Sequence, residues 1–112
     1  MKLTAVLALS LPIILSACAT YPQSREDQAT YHANEARAAI AKGDGAEVVY
    51  QIEIALTRPT GDARIKELFA SYPKGRDYYR TYLEETIANV SSVDQAVSVF
   101  ENLTVAKSAG IF

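Results

Sequence analysis

The chain has 112 residues, 49% of them hydrophobic, and carries 11 Lys and Arg against 13 Asp and Glu for a net charge of −2. That length bounds it to a single domain, and the apolar share excludes disorder along its whole length. The charge balance argues against nucleic acid as a partner, and a single Cys excludes both an internal disulfide and a cysteine-built zinc site.

The N-terminal stretch MKLTAVLALSLPIILSAC opens with one cation, Lys2, followed by an apolar run from Leu3 to Leu15 broken only by Thr4, Ser10 and Pro12. Such a run is too short to span a bilayer, which takes roughly 20 residues, and has the length of an export-signal core. The small residues Ser16 and Ala17 then lead into Cys18. Leu15-Ser16-Ala17-Cys18 resembles the lipobox of bacterial lipoproteins. That resemblance implies a Cys18 thiol diacylated with palmitate-type chains, cleavage before it, and a third chain on its freed amine. Several acyl chains hold a protein firmly where one does not. An ordinary secretory signal cut near Ala17 would instead leave Cys18 as an exposed reactive thiol. Ala19 stands where an Asp would signal inner-membrane retention in enteric bacteria, so the resemblance implies the outer membrane, with the domain facing the periplasm or the cell surface. On that resemblance the chain is expected to divide into a signal peptide over residues 1–17, a lipidated Cys and tether over 18–24, and a helical periplasmic domain over 25–112.

The tether, six residues from Ala19 to Ser24, reaches at most about 20 Å. Ser24 with Asp27 resembles a capping box and predicts the start of a first helix. Ala29, Ala33, Ala36 and Ile40 recur there at helical spacing, and Lys42-Gly43-Asp44-Gly45 ends it. Asp44 and Glu47 cap a second helix, with Val48, Val49, Ile52, Ala55 and Leu56 inward, stopped by Arg58-Pro59-Thr60-Gly61. Asp62 caps a third helix bearing Ile65, Leu68, Phe69 and Tyr72, which Pro73-Lys74-Gly75 terminates. A fourth runs from about Arg76 with Tyr79, Leu83, Ile87 and Val90 on one face. Ser91 and Asp94 cap a fifth with Val93, Ala96, Val97, Phe100 and Leu103 inward, and the tail from Ser108 to Phe112 is expected to fray.

These features predict an all-α domain of about five short helices in antiparallel hairpins. The segment Ala36 to Pro59, ARAAIAKGDGAEVVYQIEIALTRP, resembles a tetratricopeptide helix pair, with Lys-Gly-Asp at the turn, Ala55-Leu56 near the end and Pro59 after it. Asp94 to Phe100 is similar to the second helix of another such unit. The spacing between them departs from the usual period of about 34 residues, so a small helical bundle of another kind stays open beside it.

No nucleophile with a base at motif spacing occurs. His32 reads as a solvated helix-face residue, and no H-E-x-x-H spacing supports a metal. Glu84 and Glu85 cannot face one another on a helix, since neighbours point about 100° apart, and Glu84 stands four residues after Arg80 as a surface ion pair. Above this background stand Tyr78, Tyr79 and Tyr82 beside Arg76 and Arg80, the residue types enriched at protein interfaces. Tyr79 packing inward, with Tyr78 and Tyr82 as amphipathic boundary residues, is the alternative. The sequence is therefore read as an outer-membrane lipoprotein whose domain binds another envelope protein as a non-enzymatic accessory, with neither cofactor nor metal. An enzyme modulator or exclusion lipoprotein is the second reading, and a cell-wall hydrolase the third.

Overall fold

The computed structural model describes residues 21–111, so the expected signal segment, the stretch that resembles a lipobox and Cys18 lie outside the described residues. Among the described residues there are five helices and no strand. Helix α1 (Arg25–Lys42) begins as the sequence predicts: the Ser24 hydroxyl accepts the Asp27 N–H, and Ala29, Ala33, Ala36 and Ile40 are buried. Its end is closed by a pair of backbone bonds, Gly43 N–H to Ile40 and Asp44 N–H to Ala39, with Gly43 left-handed. Asp44 then turns its carboxylate to the Glu47 N–H and caps α2 (Gly45–Leu56). Val48, Ile52 and Ala55 are fully buried there, with Val49 and Leu56 packed at the edge of the core. The alanines on α1 let α2 approach closely. Burying side chains such as Ile52, Ile65 and Leu83 contributes about 1.5–3 kcal/mol each.

Helix α3 (Gly61–Ser71) starts differently from the expectation. Asp62 lies within its first turn, where its carboxylate accepts the Ala63 N–H, and Thr60 holds the capping position in a left-handed conformation without a side-chain cap. Gly61 is buried, and a Cβ there would overlap the carbonyl oxygen of Ala55, so the close approach of the two turns has room only for glycine. Ile65, Leu68 and Phe69 face the core as predicted, while Tyr72 is largely exposed.

Pro73-Lys74-Gly75 does not form a loop. Pro73 opens α4 (Pro73–Ala88), and only Tyr72 separates it from α3. Proline suits that first position because its missing N–H would have had no helical partner. Tyr79 and Leu83 are buried; Ile87 is exposed and Val90 lies beyond the helix.

Helix α5 (Val93–Ser108) is capped by Ser92, whose hydroxyl accepts the Gln95 N–H, rather than by Ser91. Its predicted inward face points outward: Val93 is 79% exposed, Phe100 71% and Val97 52%. Ala96 is exposed too, Leu103 only partly covered, and Val99 and Ala106 make the buried contacts instead. The predicted fraying tail is ordered through Ile111. Gly110 takes φ 79°, its N–H bonds Lys107, the Ile111 N–H bonds Ala106, and Ile111 is buried. Each helix packs against the next in sequence and against the one after it, and α1 also touches α4.

Candidate functional site

Helix α4 carries the five predicted binding residues, and the structure separates them. Tyr79 is 2% exposed and belongs to the core, where its ring lies 5.8 Å from that of Tyr82. Burial, the nearby Glu53 carboxylate and Tyr82 raise the Tyr79 phenol far above its ordinary range. Tyr82 is half-buried and its phenol is also raised, by burial first and by Glu53 second. Tyr78 is half-buried with its ring against Gly45, where a Cβ would lie only 3.0 Å from it, and the Lys74 ammonium stands 5.9 Å from the ring centroid. At about 100° per residue, Tyr78 and Tyr82 occupy one flank of the buried Tyr79–Leu83 stripe, and Arg76 and Arg80 the other. Both arginines are exposed, and Arg80 reaches Glu84 at 3.2 Å. The five residues therefore form a core anchor and two opposite flanks, not one surface.

The tyrosine flank borders a groove. Two depressions of about 710 and 600 Å³ meet at Tyr82 and Glu85. The first lies between the start of α2 and α4, lined by Gly45, Val49, Lys74, Asp77, Tyr78 and Thr81. The second lies between α4 and α5, lined by Asn89, Asp94, Gln95, Val99 and Asn102 among others. Three carboxylates, Asp77, Glu85 and Asp94, line this groove against one cation, Lys74. Aromatic faces, side-chain amides and excess negative charge suit a ligand that brings N–H donors and positive charge. Tyr78 and Tyr82 are among the residues that the sequence analysis singles out for binding; Asp77, Glu85 and Asp94 are not. Asp77, Thr81 and Glu85 recur at intervals of four, a row beside that of Tyr78 and Tyr82 on the same flank, and that spacing is legible in the sequence.

His32 is a second correction. It is 7% exposed, not solvated. Its Nδ1 lies 2.7 Å from Gln51 Oε1 and its Nε2 3.0 Å from the Tyr21 hydroxyl, while the Gln51 amide donates to Glu47 at 2.7 Å. Tyr21, Tyr31 and His32 pack edge to face with centroids 5.1–5.7 Å apart. Helical spacing puts His32 on the buried stripe, three residues after Ala29 and four before Ala36, but the partner that satisfies its ring, Gln51, belongs to another helix.

Glu84 and Glu85 diverge as adjacent helical residues must: Glu84 pairs with Arg80 and Glu85 lines the groove. Among the described residues no three His, Cys, Asp or Glu side chains gather as a metal cage, and no helix is long and apolar enough to cross a membrane. No family model, curated protein or solved structure matches the chain.

Proposed function

We propose that the protein is an outer-membrane lipoprotein, anchored through Cys18, whose helical domain binds another envelope protein along the Tyr82 groove as a non-enzymatic accessory of an envelope or secretion assembly. The observation that carries this reading is the junction at Tyr82 and Glu85, where two depressions meet between half-buried tyrosines and three carboxylates. The partner it fits presents an extended segment bearing Lys or Arg, because aromatic faces and carboxylates together hold such cations. Helices that pack on their next and next-but-one neighbours are also the arrangement of stacked hairpins, whose grooves hold extended segments. Arg25, Gly61 and Val93 open α1, α3 and α5 at intervals close to the tetratricopeptide period of about 34 residues, which supports helical hairpins of that kind but puts α5 in the place of a first helix, not of the second helix that Asp94 to Phe100 resembles. Acyl chains at Cys18 confine the domain to one surface, so modest contacts gain effective concentration there.

The test is a photoreactive side chain placed at exposed Thr81, in the groove, and separately at exposed Lys66 on α3. Illumination in intact cells should capture one protein species from Thr81 and not from Lys66, and Cys18→Ala should reduce that capture by releasing the domain from the membrane. Equal capture at both positions, or none at Thr81, would contradict the proposal.

A further inference from the structure

We propose that the face around Tyr21, Tyr31 and Tyr50 lies on the bilayer interface, so that the domain is held in one orientation rather than swinging on a tether. This rests on the reading of Cys18 as the lipid-bearing residue. The expected six-residue tether is largely taken up by the fold. Tyr21 bonds to buried His32 at 3.0 Å, and the Pro22 carbonyl accepts the Gln28 side-chain amide at 3.0 Å. Ser24 is already the cap of α1. Between Cys18 and Tyr21 there remain three residue steps, which span at most about 11 Å. By comparison, α1 with its 18 residues is about 27 Å long. A domain pinned at Tyr21 so close to its acyl chains cannot stand clear of the membrane. The face that carries Tyr21 must meet it.

That face has the chemistry of a headgroup layer. Tyr50 is 60% exposed and shares a depression of about 470 Å³ with Tyr21, Ile54 and Arg58, and the Tyr31 ring packs 5.1 Å from that of Tyr21. Tyrosine suits this depth, with a ring that prefers hydrocarbon and a hydroxyl that prefers water. Arg58 and Arg25, the latter donating to the Thr57 carbonyl, bring cations to the same end of α1 and α2, where lipid phosphates would lie. Glu53, also in that depression, is half-buried beside Tyr79 and Tyr82.

The chain contains no Trp, so one introduced Trp reports a single position. The acylated full-length protein, purified from membranes, is placed in phosphatidylethanolamine–phosphatidylglycerol vesicles with or without brominated acyl chains. Tyr50→Trp should lose at least half its emission to bromine. Tyr72→Trp should lose little, because Tyr72 lines the opposite flank of α1 with Thr30 and Ala33. Adding Tyr21→Ala to Tyr50→Trp frees the tether and should reduce the quenching at least twofold. Mass measurement of each preparation separates the two claims. Acyl chains on Cys18 with equal emission in both vesicles would overturn the orientation alone, as it would if a second copy or a protein partner covered this face. An unmodified Cys18 would overturn the anchor and the orientation together.

Discussion

Gln51 Oε1 lies 2.7 Å from Nδ1 of His32, and this contact sets the order of protons along a chain of four side chains. The Gln51 amide nitrogen is committed to Glu47, so its oxygen faces the imidazole and accepts from Nδ1–H. With the ring neutral, the opposite nitrogen, Nε2, is left to accept the Tyr21 hydroxyl. In this way α2 fixes a tautomer on α1, and that tautomer fixes the point where the tether joins the domain.

Gln51→Ala should therefore leave a buried imidazole N–H without a partner and cost about 1–3 kcal/mol, whereas Tyr21→Phe, at the solvent end of the chain, should cost about 1 kcal/mol or less. Urea unfolding of both variants checks the order. Equal losses would show that the inner bond has no special weight.

Much of the fold was legible because the first two helices carry both their caps and their stripes in the sequence. Ser24 and Asp44 hold the hydrogen bonds their spacing predicts, and Ile52 is fully buried. Helix α5 was legible as a helix but not in its orientation. Val93, Val97 and Phe100 repeat with the same period a core face would have, and periodicity cannot say which neighbour covers a stripe. The ordered tail was readable in principle, since Gly110 followed by Ile111 is the left-handed closure with its apolar residue just beyond. At the site, Tyr79 is buried with Leu83 on the inward face that their spacing of four predicts, whereas the hydrogen bond that holds His32 depends on Gln51, which only the packing of α2 on α1 brings near.

The orientation of α5 is checked by Phe100→Ser. At an exposed position, it should change stability by no more than about 0.5 kcal/mol. Val99→Asp, on the buried side, should place an unpaired charge against the fold and lower the melting temperature by several degrees. The reverse ranking by thermal circular dichroism would restore the orientation expected from the sequence.

Gly61→Ala tests the junction between α2 and α3. A Cβ there would overlap the Ala55 carbonyl oxygen, a backbone atom that cannot rotate away, so the turn must open. A loss of at least about 2 kcal/mol in urea unfolding is expected, against the gain of up to about 1 kcal/mol that Gly→Ala gives where the backbone tolerates it. A gain would contradict the close approach.

Alkaline stability follows from Tyr79. Its phenol is raised in the fold, while in the unfolded chain it ionises near 10.0. The unfolded state thus releases its proton first, and the stability present below pH 10 falls as pH rises beyond that value. Tyr79→Phe keeps the ring and removes the proton, so its melting temperature should decline less between pH 8 and 11. Tyr82, shifted in the same direction, accounts for a residual slope. Identical slopes for the two chains would rule out Tyr79 as a source.

The central claim, a groove that recognises a basic protein segment, is tested most directly by reversing its charge without touching its packing. Asp77 and Glu85 are exposed and lie beyond the first turn of α4, whereas Asp94 stands in the first turn of α5 where its charge favours the helix, so changing Asp77 and Glu85 to Lys should leave the melting curve nearly unchanged. Crosslinking yield from a photoreactive side chain at Thr81, measured on that variant and on the parent chain at equal membrane abundance, gives the decisive comparison. A drop of at least tenfold, with melting unchanged, is the predicted result. A yield equal to that of the parent chain would contradict recognition by the groove.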